Sequence, residues 1–190
     1  VAVSTAYDAK GVLKSAVRDD NPVMIFEHKL LYGSKGARSE SGTVDGSSEV
    51  PDDDYSLALD KAVVRQEGDD VTIVGWLLMT HFAQHAADEL TVQGVSTEVI
   101  NMRSLYPIDF DTLGASVCKT GRLVVVEEGP QTGGVGAEIA AGVMERFGED
   151  MLMPVKRVAS ADVPVPFSPP LEKVYRPDAA RIVAAARELM

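Results

Sequence analysis

The stretch from Arg122 to Ala141 constrains the fold more than any other part of the chain. It reads Arg-Leu-Val-Val-Val-Glu-Glu-Gly-Pro-Gln-Thr-Gly-Gly-Val-Gly-Ala-Glu-Ile-Ala-Ala. Leu123 to Val126 is a short apolar run rich in β-branched residues, the pattern of a buried parallel strand. Glu127 and Glu128 end it, Gly129 to Gly136 form a glycine-rich turn, and a helix is expected from Ala137 to about Phe147. Strand, turn and helix make half of a βαβ unit. The turn then lies at the carboxyl end of a strand, where open α/β sheets place their working surfaces. It either holds a ligand or only packs.

The rest of the chain repeats this alternation. Strands are expected at Ala62 to Val64, Val71 to Gly75, Val95 to Ile100 and Pro154 to Val158. Thr80 is read as the cap of a helix running to Val92, with Gly94 ending it. Asp109 or Asp111 opens a helix to about Cys118, and Asp178 caps a final helix to Leu189. Val163 to Pro170 contains four prolines and is expected to lie extended. Alternating strands and helices with short turns predict an α/β fold, a mostly parallel sheet with helices on both faces.

Two stretches do not fit that core. Val1 to Val3 is strand-like, Asp8 starts a helix with Val12, Leu13, Ala16 and Val17 on one face, and Asp19-Asp20-Asn21-Pro22 ends it. With a further strand at Val23 to Phe26, this start reads as the end of another α/β layer; a small appendage of the main domain is the alternative. Gly33 to Asp54 is rich in Gly, Ser, Asp and Glu, with Val44 and Val50 its only large apolar residues, and is expected to be a flexible linker.

Composition excludes several functions. Among 190 residues the net charge is -11, which disfavours nucleic acid and leaves room for a basic protein partner. Cys118 is the only cysteine, so neither an intrachain disulfide nor a cysteine metal cluster is expected. The most apolar stretch, Val71 to Met79, is far below the roughly 20 residues of a membrane helix. No signal peptide is expected from Val1 to Thr5. His81 and His85 have a metal-compatible spacing, but Phe82-Ala83-Gln84 between them carries no general base and no third ligand is evident. A structural or solvent-facing role is expected for both. No Gly-x-Ser-x-Gly elbow or phosphate loop is present, and Glu127 and Glu128 would repel a phosphate from the glycine turn.

A series of stretches carries a family resemblance. They are Tyr7-Asp8-Ala9-Lys10-Gly11, Val17-Arg18-Asp19-Asp20-Asn21-Pro22, Phe26-Glu27-His28-Lys29 and Asp70-Val71-Thr72-Ile73-Val74. Further on come Val99-Ile100-Asn101-Met102-Arg103-Ser104-Leu105, Val125-Val126-Glu127-Glu128-Gly129, Thr132 to Ile139, and the specific run Asp162 to Glu172. In these, over nearly its whole length, the chain resembles the C-terminal part of the beta subunit of thiamine-diphosphate-dependent 2-oxoacid dehydrogenases. The pyruvate dehydrogenase first-component type is the model, with acetoin and branched-chain enzymes near it.

The resemblance implies residues 1–33 as a remnant of a pyrimidine-binding domain, 34–54 as a linker with Ala37 to Ser48 inserted, and 55–190 as a transketolase C-terminal-like domain. It implies an oxidoreductase that decarboxylates pyruvate or a related 2-oxoacid on thiamine diphosphate and reductively acylates lipoyl groups. The family's activating glutamate and active-site histidine are expected ahead of Val1, so no catalytic or cofactor-binding residue is assigned here, and the chain alone is expected to be inactive. Thiamine diphosphate and magnesium are expected in the complete enzyme, held by an alpha subunit. Implied partners are that alpha subunit, a second beta subunit and a dihydrolipoyl acyltransferase core. The implied place is the cytoplasm, or the mitochondrial matrix in a eukaryote. By position, Ala16, Val17, Asp19 and Asn21 match a segment that wraps a potassium ion in some members; a plain capped helix end is the alternative. A helix C-terminus offers free carbonyls and a negative dipole for such an ion. Leu59-Asp60-Lys61 and Tyr106 depart from the family pattern and do not decide the substrate.

Overall fold

The computed structural model describes residues 1–32 and 44–190. A five-stranded sheet in the order β1-β3-β2-β4-β5 forms its centre. The strands are β1 (Val63–Gln66), β2 (Val71–Gly75), β3 (Thr97–Asn101), β4 (Leu123–Pro130) and β5 (Lys156–Ser160). β2 pairs in parallel with β3 and β4, and β4 with β5. Only β1, at the edge, runs antiparallel. Every residue of β2 and β3 is buried, which explains why their sequences are continuous runs rather than alternating ones.

The helices are α1 (Ala6–Arg18), α2 (Leu78–Val92), α3 (Phe110–Thr120), α4 (Val135–Phe147), α5 (Pro169–Tyr175) and α6 (Ala179–Arg187). α2 and α6 cover one face, packing Met79, Leu90 and Ile182 on Ile73, Val99, Val124 and Val126. α3 and α4 cover the other, with Leu113, Val117, Ile139 and Val143 against Val74, Ile100, Leu123 and Val125. The two-residue period of the strands sends alternate side chains into these two cores. The expected α/β architecture with helices on both faces is therefore what the chain forms.

Several local expectations change. α1 begins at the Thr5 cap, whose side chain accepts the Asp8 N–H, rather than at Asp8. Its buried face carries Asp8, Gly11 and Val12, while Leu13 and Val17 are exposed. Val1 to Val3 and Val23 to Phe26 form no full strands; a single parallel bridge joins Ala2 to Phe26. Thr80 does not cap α2, which begins after Leu77 without a side-chain cap. Thr80 instead lies buried and bonds Ser4 and Asn101. Asp109, not Asp111, caps α3, accepting the Thr112 N–H at 3.2 Å. The proline run is extended only to Ser168, because Pro169 and Pro170 open α5. The first turn of a helix leaves its N–H groups unpaired, so proline fits there without loss.

Residues 33–43 of the expected linker, with most of the Ala37 to Ser48 insertion, lie outside the described residues. The part from Val44 onward lies along the body. Val44 is buried in the α2/α6 core, the Tyr7 N–H donates to Ser48 Oγ at 2.8 Å, and Lys14 pairs with Asp54 at 2.5 Å.

Candidate functional site

The strand order reverses between β2 and β4, since β3 lies on one side of β2 and β4 on the other. In open α/β sheets ligands enter the crevice outside the carboxyl ends of the strands at such a point. That edge is the candidate site, and in this chain its own residues fill it.

At β4 the filling group is Glu127. It is 2% exposed, and its Oε2 accepts the Gly136 N–H at 3.2 Å, at the first turn of α4. The carboxylate thus takes the position at a helix N-terminus that an anionic ligand would otherwise use. The glycines make room for it: a Cβ on Gly134 would lie 2.5 Å from Oε2, and one on Gly136 would lie 2.5 Å from Oε1. Burial pushes the Glu127 carboxyl up from its ordinary range, opposed by the Gly136 N–H and by the charge of Arg157. Oε1 is buried with no hydrogen-bond partner among the described residues. The turn is pinned from outside by Asp162, which accepts the Thr132 N–H at 3.0 Å and its hydroxyl at 2.6 Å. The glycine turn therefore packs around an internal carboxylate, and it does not fit a diphosphate.

Glu128, the next residue, points to the N-terminal segment. The His28 Nδ1 accepts the Leu30 N–H at 3.1 Å, so in the neutral ring Nε2 carries the proton and donates to Glu128 Oε2 at 2.7 Å. The other carboxylate oxygen lies 3.7 Å from Arg176, whose guanidinium sits over the Phe82 ring. Both nitrogens of His28 are engaged, which makes it a clasp rather than a free base.

At β2 and β3 the edge is closed by residues 1–8. Asn101, the last residue of β3, is fully buried and is the hub. Its Oδ1 accepts from Ser4 Oγ at 3.0 Å and from Thr80 Oγ1 at 3.2 Å, and its Nδ2 donates to Asp8 Oδ2 at 3.0 Å. Arg103 donates to Asp8 Oδ1 at 3.5 Å and to the carbonyls of Lys61 and Ala62 at 3.1 and 3.3 Å. Its own carbonyl accepts the Ala2 N–H at 2.6 Å. Leu77 and Arg103, just past the ends of β2 and β3, have φ of 53° and 47°. For side-chain-bearing residues such backbone costs about 1–3 kcal/mol each, and it persists where surrounding contacts fix it. At Arg103 those contacts come from Ala2 and Asp8 of the N-terminal segment and from the carbonyls of Lys61 and Ala62.

His81 belongs to this junction. It is 8% exposed, and its Nε2 donates to the Ser4 carbonyl at 2.7 Å. His85 is exposed on the same helix. The pair is split between a structural contact and solvent.

Ala16 and Val17 lie in the last turn of α1, Asp19 is its C-cap in extended backbone, and Asn21 follows two residues on. The Asp19 N–H donates to the Ala16 carbonyl at 3.4 Å, and Asp19 Oδ1 accepts the Asn21 N–H at 2.8 Å and its side-chain N–H at 3.0 Å. These Asn21 hydrogen bonds, the backbone one first, hold the Asp19 carboxyl below its usual range. Only oxygens are offered, which suits a hard monovalent cation. Asp19 and Asn21 border a cleft of about 900 Å³ that also meets Arg18, Met24, Asp60 and Tyr106. Among the described residues no cluster of three or more His, Cys, Asp or Glu could hold a metal, and no helix is long and apolar enough to cross a membrane.

Ser4, Thr80, Asn101 and the capping role of Glu127 were not evident as functional positions from sequence. Their signal is the mismatch between residue type and burial, which only the fold exposes.

Comparison with known proteins gives a consistent picture. The transketolase C-terminal domain family matches residues 60–182. The beta subunit of 2-oxoisovalerate dehydrogenase from Bacillus subtilis (strain 168) is 41% identical over 190 residues, covering 100% of this chain and 55% of its own length. The mitochondrial pyruvate dehydrogenase E1 component subunit beta-1 of Oryza sativa subsp. japonica is 46% identical over 183 residues, covering 96% of this chain and 47% of its own. A solved structure described as a split gene transketolase, inactive beta4 tetramer, matches with a TM-score of 0.75 at 31% identity, covering 98% of this chain and 55% of that one. The chain spans about half the length of the curated relatives it matches. The resemblance to 2-oxoacid dehydrogenase beta subunits is borne out by these relatives. With its sheet, its helix layers and the matched span of 60–182, the chain belongs to the transketolase C-terminal domain family.

Proposed function

We propose that the chain is the beta-subunit portion of the first component of a 2-oxoacid dehydrogenase complex, and that its own residues serve subunit assembly rather than catalysis. The observation that carries this is the filled carboxyl edge: Glu127 occupies the α4 N-terminus and residues 1–8 close the ends of β2 and β3. The similarity to pyruvate and 2-oxoisovalerate dehydrogenase beta subunits supplies the enzyme class. In this reading the complete enzyme decarboxylates pyruvate or a related 2-oxoacid on thiamine diphosphate with magnesium, and then reductively acylates lipoyl groups. Acetoin and branched-chain 2-oxoacids are the alternative substrates. The partners are an alpha subunit, a second beta subunit and a dihydrolipoyl acyltransferase core, in the cytoplasm or the mitochondrial matrix. The acidic chain would meet a basic segment of that core, so salt should weaken the contact. Mixing the chain with a 2-oxoacid dehydrogenase alpha subunit and following sedimentation is the test. A joint species is expected; independent sedimentation of the two at high concentration counts against the reading.

A second reading, self-association without an alpha subunit, is favoured by the structural relative described as an inactive beta4 tetramer. The same sedimentation run separates the two, because the chain would then form tetramers by itself and no joint species with the alpha subunit.

We also propose the end of α1 as a potassium site, with the carbonyls of Ala16 and Val17 and the side-chain oxygens of Asp19 and Asn21 as donors. The helix C-terminal dipole and the all-oxygen set support it. Potassium, but not lithium, should raise the melting temperature of the chain, and Asp19→Ala should abolish the difference. Equal melting in both salts contradicts the assignment.

A further inference from the structure

Ser4 is gripped at both its main chain and its side chain. Its carbonyl accepts from His81 Nε2 at 2.7 Å, and its hydroxyl contacts Thr80 Oγ1 at 3.2 Å and Asn101 Oδ1 at 3.0 Å. Of these partners only His81 titrates near neutrality. We propose that His81 is a proton-sensitive latch that holds residues 1–8 over the ends of β2 and β3 at neutral pH and releases them on acidification.

A carbonyl only accepts, so the proton of the neutral ring is on Nε2 and Nδ1 is bare. A second proton must go to Nδ1 and brings a full charge into a ring that is 8% exposed. On the N-terminal segment the ring meets the neutral Ser4 carbonyl, which favours the charged ring but supplies no counter-charge, so burial has to outweigh it. Across from the ring, Arg65 of β1 and His85 of α2 oppose a positive charge, and Asp45 favours one. Burial lowers the proton affinity most; the Ser4 carbonyl acts in the other direction, and Arg65 and His85 lower it further.

The sign follows from linkage. A group that binds protons more readily once released favours the released state as pH falls below its ordinary value, here 6.5. The latch energy is complete above that value and is lost below it. Release would also deprive Arg103 of the Ala2 and Asp8 contacts that help fix its backbone at a φ of 47°. The carboxyl edge of β2 and β3, closed at neutral pH, would then be open to solvent.

The test is hydrogen exchange on the whole 190-residue chain. The Ala2 and Val3 amides, bonded to the Arg103 and Phe26 carbonyls, report the segment, and Ile73 and Val125 in the sheet serve as internal references. Protection of Ala2 and Val3 relative to the references should fall from pH 7.5 to 5.5, with about tenfold as the ceiling for one proton per opening. His81→Gln keeps an N–H donor without a titrating ring and should remove the pH dependence. A fall that persists in H81Q, or its absence in the wild type, overturns the proposal. Ring titration of wild-type His81 by NMR gives a check that needs no variant. Proton uptake should coincide with loss of Ala2 protection, and uptake with Ala2 still protected overturns the latch.

Discussion

Glu127 shows how one side chain decides what a glycine turn is for. The sequence leaves open whether Gly134 and Gly136 hold a ligand or only pack, and in the structure their missing side chains leave space for a carboxylate from the preceding strand. Gly134→Ala places a methyl 2.5 Å from that carboxylate and should cost about 1–3 kcal/mol in urea unfolding. Glu127→Ala removes the acceptor of the Gly136 N–H at the α4 N-terminus and should cost about 1 kcal/mol. The ionisation of Glu127 has the opposite sign from that of most carboxylates. Burial raises its folded value above the ordinary 4.5, so its contribution is complete below 4.5 and is lost as pH rises through the folded value. Glu127→Gln, which cannot ionise, should therefore compare better with the wild type at pH 8 than at pH 4.5 in urea midpoints. The reverse ordering would mean that the charged form is the one the site favours. The two glutamates were legible in the sequence as a barrier to phosphate. That the first of them is itself the occupant was not, because nothing in a run of letters says which way Glu127 turns.

Elements that follow hydrophobic periodicity were readable, and elements fixed by distant polar contacts were not. Strand β2 and helix α6 fall where the apolar run and Asp178 place them, because their burial follows from their own residues. Strand β4 starts at Leu123 as expected but runs on through Glu127 and Glu128, expected to end it, to Pro130. Helix α2 does not start at Thr80, since that hydroxyl is drawn to Ser4 and Asn101, the latter 21 residues away. The Asn101 hub makes a prediction at this scale. Asn101→Ala strands the buried Ser4, Thr80 and Asp8 groups and should cost about 3 kcal/mol or more, with residues 1–8 becoming the first segment cut by protease. Loss of stability without early cleavage there would show that the hub holds the sheet and not the segment. Lys119 of α3 makes a similar case. It pairs with Glu98 of β3, which is 2% exposed and also accepts the Gly68 N–H. Lys119→Met leaves a buried carboxylate without its cation, and because Lys119 is itself partly exposed and Glu98 keeps the Gly68 N–H, urea unfolding should show a loss of about 1–3 kcal/mol.

At the scale of the whole molecule, the sheet edge where an α/β protein commonly works is occupied by the protein itself. Ser4 and Asp8 close that edge at Asn101 of β3, Glu127 fills the N-terminus of α4, and the His28–Glu128 contact joins the N-terminal part of the chain to the β4 turn. The architecture was legible from the alternation of strands and helices, and the family from matched stretches such as Asp162 to Glu172. The closed edge was not, since it joins residues as far apart as Asp8 and Asn101. On the proposed function these 190 residues assemble but do not catalyse. The direct measurement is 2-oxoacid-dependent dye reduction by the chain combined with an alpha subunit, thiamine diphosphate and magnesium, across pyruvate, acetoin and branched-chain 2-oxoacids. The account predicts a complex without turnover on any of them; full turnover on one would contradict it.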